Sequence, residues 1–449
     1  MSARASRGLL LGVSVLALCV GDQANAQTEL SPITVTAPSP IRRAPARPAP
    51  AAPSRTPAAA APVEQAAAPP AAEASQPGVL PIVTDQFATV TVVPNAELRR
   101  APASTLGDLL FSKPGITGSS FAPGGSSRPI IRGLDVNRVG ILENGTGGGG
   151  VSDLGEDHFV PINPLVTNQI EVIRGPATLR YGSQSIGGVV SATNNRIPDA
   201  MPFCRSDPRW QGSRTCANLE LRGAATTSDN GLEGGVLVDG AAGNVAVHAD
   251  AFGRKTDDYR IPSYPYLFTP GRPFSGTQPN SATQSDGQSV GASYFFQEGF
   301  IGAAITQNNT LYHIPGVDGD DHKTRIDAHE TKITAKGEYR PMAGGVDAVR
   351  FWFGATDYRH NEIGLADPLD TATDGVRQTF TNKEQEGRLE VQLSPFDLRF
   401  AQLTTALGIQ AGHQELTAPS PDNAGLWDPN NNHRVAGYMF NEFAFSPFT

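Results

Sequence analysis

The sequence predicts a mainly β protein in which a small N-terminal α+β domain precedes a transmembrane antiparallel β-barrel. Three features support this fold class. Residues 168–194 place short apolar runs between glycine-rich turns, which is typical of closely connected strands. After Pro198, segments of roughly ten residues alternate apolar and polar side chains, as the strands of a membrane barrel do; a soluble β-sandwich, which also alternates, is the alternative. No segment after the N-terminus is long and apolar enough for a membrane helix, so a membrane-spanning form of this chain has to be a barrel.

The first 26 residues are predicted to be a secretory signal peptide. Arg4 and Arg7 supply its positive charge, residues 9–20 form its apolar core, and residues 24–26 (Ala-Asn-Ala) are a small-residue cleavage site. The apolar core is too short to anchor the chain in a bilayer. The chain has a formal net charge of −9 and no basic patch, which argues against nucleic acid as a partner.

Residues 168–194 read NQIEVIRGPATLRYGSQSIGGVVSATN. Ile170 and Val172 alternate with polar neighbours, which predicts a half-buried strand. Gly175-Pro176 ends that strand, because proline cannot donate to a β-ladder, and a second strand begins after Gly187-Gly188. Further upstream, Ser104 is a suitable N-cap for a short helix containing LGDLL.

In order and spacing, residues 168–194 closely resemble the signature that ends the plug domain of TonB-dependent outer-membrane receptors. Residues 106–116 and 128–145 also match the pattern of that family, so the resemblance runs without a gap from about residue 87 to residue 198. It implies that residues 82–198 form a plug domain. Residues 199–449 are then expected to be the N-terminal part of a barrel that surrounds the plug.

Only the first half of the barrel is expected. Plugged transporters have about 22 strands, whereas about ten can be found after residue 217 at the usual interval. An open half-barrel leaves an unpaired strand edge in lipid, so we expect a truncated form of a longer receptor, with dimerisation as the alternative. The clearest predicted strands are residues 244–252, 289–296, 348–358, 387–394 and 404–412.

The segment before the plug has two parts. Residues 27–37 resemble a TonB box, a short extended segment that pairs as an added strand with TonB, the partner that transmits energy from an inner-membrane complex. Residues 38–81 are rich in alanine and proline and are expected to be a semi-rigid disordered linker. A disordered tail is the alternative interpretation of the box. The residues expected to bind TonB are Ile33, Thr34, Val35, Thr36 and Ala37.

Two cysteines remain after removal of the signal peptide, Cys204 and Cys216. In an exported chain, such a pair is most simply a disulfide that closes a short loop. A metal-binding thiol pair is the alternative. No complete catalytic motif is found: residues 145–150 are glycine-rich but are not followed by Gly-Lys-Ser/Thr, and His329-Glu330 lacks the second histidine of a zinc-protease helix. We therefore expect neither enzymatic activity nor a prosthetic group.

Two clusters of histidine and carboxylate residues are candidate metal sites. The first, at residues 153–158, contains Asp157 and His158, and in the plug layout it falls on an apical loop. The second extends from residue 312 to residue 330 and is expected to be an extracellular loop between two strands. Imidazole and carboxylate ligands suit zinc and other first-row divalent ions. A solvated acidic loop is the alternative for each. The candidate ligands in the second cluster are His313, Asp320, Asp321, His322 and His329.

Four short strings together resemble the zinc-uptake, ZnuD-type branch of the receptor family: SDLGEDH at residues 152–158, YHIPG at 312–316, KTDDYRIP at 255–262 and DYRHNEIG at 357–364. This resemblance implies that Asp157 and His158 contribute to a metal site in the plug. It also implies a barrel carboxylate, for which Glu362 is the match.

We therefore expect an outer-membrane transporter of a Gram-negative bacterium that is energised by TonB and surrounded by outer-membrane lipid. Its expected cargo is a scarce metal ion, most simply zinc. A ferric siderophore or haem is the alternative cargo for the same fold. A non-transporting surface protein, or a receptor fragment, is the alternative of a different class.

Overall fold

The computed structural model describes residues 89–100, 103–119, 121–181, 185–202, 215–264, 275–342, 344–421 and 425–445. All of them fall within one compact unit, Pro70–Thr449. The predicted signal peptide, the TonB box and the alanine- and proline-rich linker lie outside the described residues, so these three assignments remain predictions.

The N-terminal part is a small α+β domain, here called the plug. Its main sheet has five strands in the order β1-β6-β7-β4-β5, in which β4 and β7 are parallel and the other pairs antiparallel. A separate hairpin pairs β2 with β3. The elements are β1 Thr89–Val93, α1 Asn95–Leu98, α2 Leu106–Leu110, β2 Ile116–Ser119, β3 Arg128–Ile131, β4 Val139–Glu143, β5 Thr146–Gly147, β6 Gln169–Arg174 and β7 Gly188–Thr193.

The two strands predicted from residues 168–194 are confirmed as β6 and β7, which lie side by side in the centre of the sheet. Every residue of β6 is buried, so the strand is covered on both faces rather than half-buried as its alternation suggested. Ile170 and Val172 belong to the plug core together with Leu106 and Leu110 of α2.

The helix cap was predicted one residue too early. Thr105, not Ser104, is the N-cap of α2, and its Oγ1 accepts a hydrogen bond from the Asp108 N–H over 3.2 Å. Thr105 has the extended backbone that a cap requires, which places its side chain over the first turn.

The second part is an antiparallel sheet of eleven strands, in the order β18-β19-β17-β16-β15-β14-β13-β10-β9-β8, with β20 also paired to β19. Ten of these strands are long, in agreement with the number predicted. A small hairpin, β11 Arg260–Tyr264 and β12 Ser275–Thr277, lies off the main sheet. The sheet strands are β8 Thr215–Ala225, β9 Leu232–Ala242, β10 Val245–Lys255, β13 Thr283–Phe296, β14 Gly299–His313, β15 Arg325–Tyr339, β16 Val346–Leu365, β17 Asp374–Leu393, β18 Phe396–Asp397, β19 Gln402–Thr417 and β20 Asn430–Ala444.

The strand faces alternate as the sequence predicted. In β16, Arg350 and Thr356 are buried against the interior, whereas Phe353 is 41% exposed on the outer face. A short helix, α3 Val317–Asp321, joins β14 to β15. Among the described residues, none of the helices is both long and apolar enough to cross a membrane.

Charged side chains join the plug to the inner wall of the sheet. Arg196, at the end of the plug, donates to Glu143 over 2.7 Å and to Asp250 of β10 over 3.0 Å. Arg180 of the plug pairs with Glu390 of β17, whose side chain is fully buried. These ionic contacts hold the plug in one position against the wall and thereby fix the geometry of the site described next.

Candidate metal centre

The plug contributes a loop that follows β5 and carries the first predicted cluster. Its turn is held from within the plug by Arg128, which is 3% exposed and donates to the carbonyls of Ser152 and Gly155 over 2.8 and 2.7 Å. Gly155 leaves room for the ligands, because a Cβ there would lie 2.6 Å from the Asp157 carboxylate. The loop is therefore an ordered turn rather than a loose acidic segment.

A tyrosine from the sheet fixes the end of this loop. Tyr312 of β14 is completely buried, and its hydroxyl donates to the Asp157 carbonyl over 2.5 Å and accepts from the Phe159 N–H over 3.2 Å. The residue between these two contacts is His158, whose side chain is consequently directed at the wall, where it is 4% exposed.

Strand β16 supplies the facing groups. Tyr358, His360 and Glu362 are spaced two residues apart along the strand and therefore all lie on its inner face. His360 is completely buried, and its Nδ1 lies 2.9 Å from the Tyr358 hydroxyl. Phe380 packs against both imidazoles, with ring centroids 5.0 Å from His158 and 4.7 Å from His360.

These groups converge on one point. His158, His360 and Glu362 each offer a ligand atom, and the three atoms all lie within 4.8 Å of one another. The Nε2 of His158 is 3.5 Å from Glu362 Oε1 and 3.7 Å from Asp157 Oδ1. The Nε2 of His360 is 4.0 Å from the same Glu362 oxygen. Two imidazoles and one carboxylate are thus available to one cation, from the plug on one side and the wall on the other, with the Asp157 carboxylate next to His158.

The local contacts determine which nitrogen of His158 faces the cluster. Its Nδ1 lies 3.1 Å from the Val151 carbonyl, which can only accept, so Nδ1 carries the hydrogen. Burial lowers the pKa of His158, but the hydrogen bond to Glu362 and the charge of Asp157 outweigh burial and raise the pKa above its usual value. A proton on Nε2 therefore occupies the position that a cation would take.

Of the predicted site residues, the structure brings Asp157, His158 and Glu362 together, over more than 200 residues of sequence. His360 was not predicted as a ligand. The signal was present, because His360 and Glu362 are two residues apart and so share one face of a strand, but only the carboxylate was matched to the family pattern.

The second cluster is arranged differently from the prediction. Asp327 and His329 lie within β15 rather than in a loop, and the connection between β14 and β15 is correspondingly short. His313, His322 and His329 bond separate groups, namely the Ala282 carbonyl, the Leu365 carbonyl and Asn309. Among the described residues, no group of three or more ligands forms around these histidines or around Asp320 and Asp321.

Cys216, in β8, is disulfide-bonded. Cys204 lies outside the described residues, so its role as the partner remains a prediction.

Comparison with known proteins identifies the family of the first domain. Residues 83–189 match the TonB-dependent Receptor Plug Domain. The ferric enterobactin receptor PirA of Pseudomonas aeruginosa is 27% identical over 373 residues, which are 76% of this chain and 48% of that protein. The chain thus spans about half the length of this curated relative.

Two solved structures share the fold over 79% of this chain. A mutant of the ferric enterobactin receptor PfeA from Pseudomonas aeruginosa superposes with a TM-score of 0.57 at 16% identity, over 79% of this chain and 55% of that one. The copper transporter OprC superposes with a TM-score of 0.59 at 14% identity, over 79% and 52%. Residues 83–189 are therefore a TonB-dependent receptor plug domain, and the sheet that follows has the barrel fold of the same receptors.

Proposed function

We propose that this chain belongs to a TonB-dependent outer-membrane transporter that takes up zinc as the metal ion itself. The observation that carries the proposal is the convergence of a plug imidazole, a barrel imidazole and a barrel carboxylate within 4.8 Å. The outer membrane of a Gram-negative bacterium is the proposed location, with TonB as the partner that supplies energy.

The burial of this cluster supports cation binding over a purely structural role. Among the described residues, the Nε2 of His360 is one of several buried side-chain polar atoms that have no hydrogen-bond partner, and it lies within the ligand group. An unsatisfied buried polar atom costs about 1–3 kcal/mol, so a packed core does not usually retain one. A cation ligated by this nitrogen, by His158 and by Glu362 removes that cost.

The chemistry of the ligands favours zinc over softer or harder ions. Imidazole nitrogen and carboxylate oxygen are common zinc ligands, and their number here suits four-coordination if Asp157 joins the other three. Monovalent copper prefers thiolate and thioether sulfur, which this ligand group lacks. Calcium and magnesium prefer a shell of oxygen atoms, which two imidazoles do not provide.

The division of the ligands between two domains provides a route for release. His158 moves with the plug, whereas His360 and Glu362 are fixed in β16. Any displacement of the plug loop from the wall separates the imidazoles and breaks the coordination. Force applied by TonB to residues 33–37 is the proposed cause of that displacement. No covalent bond is made or broken, and the zinc leaves towards the periplasm.

The test is zinc uptake by cells whose only copy of the gene carries His158→Ala. We expect radioactive zinc uptake and growth under zinc limitation to fall to the level of a deletion strain. His413→Ala is the matched control, because His413 lies in β19 outside the ligand group. Undiminished uptake by His158→Ala with normal protein in the membrane would reject the proposal.

A ferric siderophore is the second candidate cargo, and the comparison with PirA, a ferric enterobactin receptor, favours it. The same strains distinguish the two candidates. A siderophore receptor would support growth on the ferric chelate under iron limitation, and His158→Ala would leave zinc-limited growth unchanged.

A further inference from the structure

The glycine-rich run of the plug, residues 145–150, lies along the inner wall and is held through its main chain. Its first carbonyl accepts from Arg388 of β17, and its Gly147 N–H donates to Glu386 of the same strand. Lys332 of β15 donates to the Gly147 carbonyl. Because glycine has no side chain, groups of the wall reach these peptide units directly.

The last contact of this series adjoins the metal centre. Asn382 of β17 is 1% exposed and donates from Nδ2 to the Gly150 carbonyl over 2.6 Å. The next carbonyl along the chain, that of Val151, is the one bonded by Nδ1 of His158. Asn382 thus fixes the peptide unit that immediately precedes the carbonyl orienting the imidazole.

The turn that joins the contacts at Gly147 and Gly150 depends on two glycines. Gly149 and Gly150 have φ angles of +75° and +80°, a backbone conformation that other residues rarely adopt. A Cβ on Gly149 would also lie 2.7 Å from a carboxylate oxygen of Glu330 and 2.8 Å from Thr356. Glycine permits this shape but does not enforce it, because it is the least restricted residue. The restraint has to come from a neighbour, and Asn382 is in the position to supply it.

We propose that Asn382 is a positioning residue for the metal centre. By holding the Gly150 carbonyl, it keeps the Val151 carbonyl where it accepts the Nδ1 hydrogen of His158, so that Nε2 is the nitrogen presented to the cation. Groups that hold the distal nitrogen of a ligating histidine tune metal affinity, although they never touch the metal. This inference rests on the proposed function, since it assigns a role within the same site.

The test compares substitutions at two asparagines, each made in the full protein and studied after purification from outer membranes. Leucine has nearly the size of asparagine but cannot donate, so Asn382→Leu removes the hydrogen bond with little change in side-chain size. Asn308→Leu is the comparison variant, because Asn308 of β14 is also buried and donates to a plug carbonyl, that of Pro161, at 3.4 Å, as well as to Glu330 of the wall at 3.2 Å. Zinc affinity is measured by competition with a chromophoric chelator. The visible spectrum of bound Co²⁺ reports the ligand geometry.

We expect Asn382→Leu to weaken zinc binding by about tenfold, the lower end of the range for a group that bonds the ligand directly, because Asn382 acts through the Val151 carbonyl, and to change the Co²⁺ spectrum. Asn308→Leu should leave the spectrum as in the unsubstituted protein. Equal effects of the two variants would indicate general loosening of the plug and overturn the inference, as would an unchanged Asn382→Leu. Failure of the unsubstituted protein to bind either metal would instead reject the proposed function.

A second pair of variants tests the inference in the case that Asn382→Leu folds poorly. Asn382→Ala removes the same donor without adding apolar bulk to the wall. Gly149→Ala disturbs the turn from the plug side, through its positive φ and its close contacts. Both should change the Co²⁺ spectrum in the same direction as Asn382→Leu, and unaltered spectra in both would overturn the inference.

Discussion

The candidate metal centre and the His-rich hairpin, defined here as residues 313–330, contain similar side chains in opposite arrangements. In the hairpin, the histidines are close in sequence, yet each bonds its own nearby group. In the metal centre, His158 and His360 are far apart in sequence, and their ring centroids are 4.7 Å apart. Closeness along the chain therefore does not by itself bring ligand atoms together, whereas the approach of the plug loop to β16 does.

Removal of the barrel imidazole, that of His360, should cause the largest loss of zinc affinity and so tests the contrast between the two regions most strongly. We expect His360→Ala to reduce zinc affinity by more than the roughly 100-fold that loss of an outer-shell partner can cost, because the ligand itself is lost. Competition titration of the purified protein measures it, with His433→Ala in β20 as control. A reduction of about 100-fold or less would place His360 outside the coordination shell and leave the two regions alike.

Removal of the negative charge of Glu362 should cause the next largest loss of zinc affinity. Glu362→Gln keeps the shape of the side chain but removes the anion that lies 3.5 Å from His158 Nε2. We expect zinc affinity to fall about 10–100-fold, with the exposed Glu415→Gln as the control. An unchanged affinity would mean that the two imidazoles bind without the carboxylate.

Loss of the tyrosine that anchors the plug loop should affect stability more than binding. Tyr312→Phe leaves the Asp157 carbonyl and the Phe159 N–H without their buried partner. The free energy of unfolding should fall by about 1–3 kcal/mol, measured by denaturant titration in detergent. Tyr294→Phe, at a residue 52% exposed on the outer face, is the control. Equal stability of the two variants would show that the loop does not depend on this anchor.

The smallest effect is expected in the His-rich hairpin. Replacing His313, His322 and His329 together by alanine should leave zinc affinity unchanged, because none of these described side chains belongs to the ligand group. The titration used for His360→Ala measures it. A large loss would show that the hairpin binds the cargo as well, and the contrast between the two regions would disappear.

The plug was predictable because its signals are local. The turn after β6 is specified by adjacent glycine and proline, and the two flanking strands by their own apolar residues, so residues 168–194 predict their own structure. The names of the related proteins, which are receptors and a transporter, agree with the expectation that this chain is not an enzyme.

The metal centre was predictable only in part, because its geometry depends on contacts between distant segments. Asp157, His158 and Glu362 were found through family strings, but nothing in the sequence indicates that β16 passes the plug loop. The extent of β15 was missed for a different reason. Its inner face carries Glu330 and Lys332, both buried, and such charged residues resemble a solvated loop when no plug is considered.

The ionic contacts between plug and wall determine how the two domains can separate. An interface of hydrocarbon resists separation because water is a poor substitute for apolar neighbours. Arg196, Glu143 and Asp250 can each exchange a protein partner for water molecules, provided that water enters as the gap opens. For the proposed transporter, this means that entry of water into the opening gap would offset part of the work that TonB has to do to displace the plug.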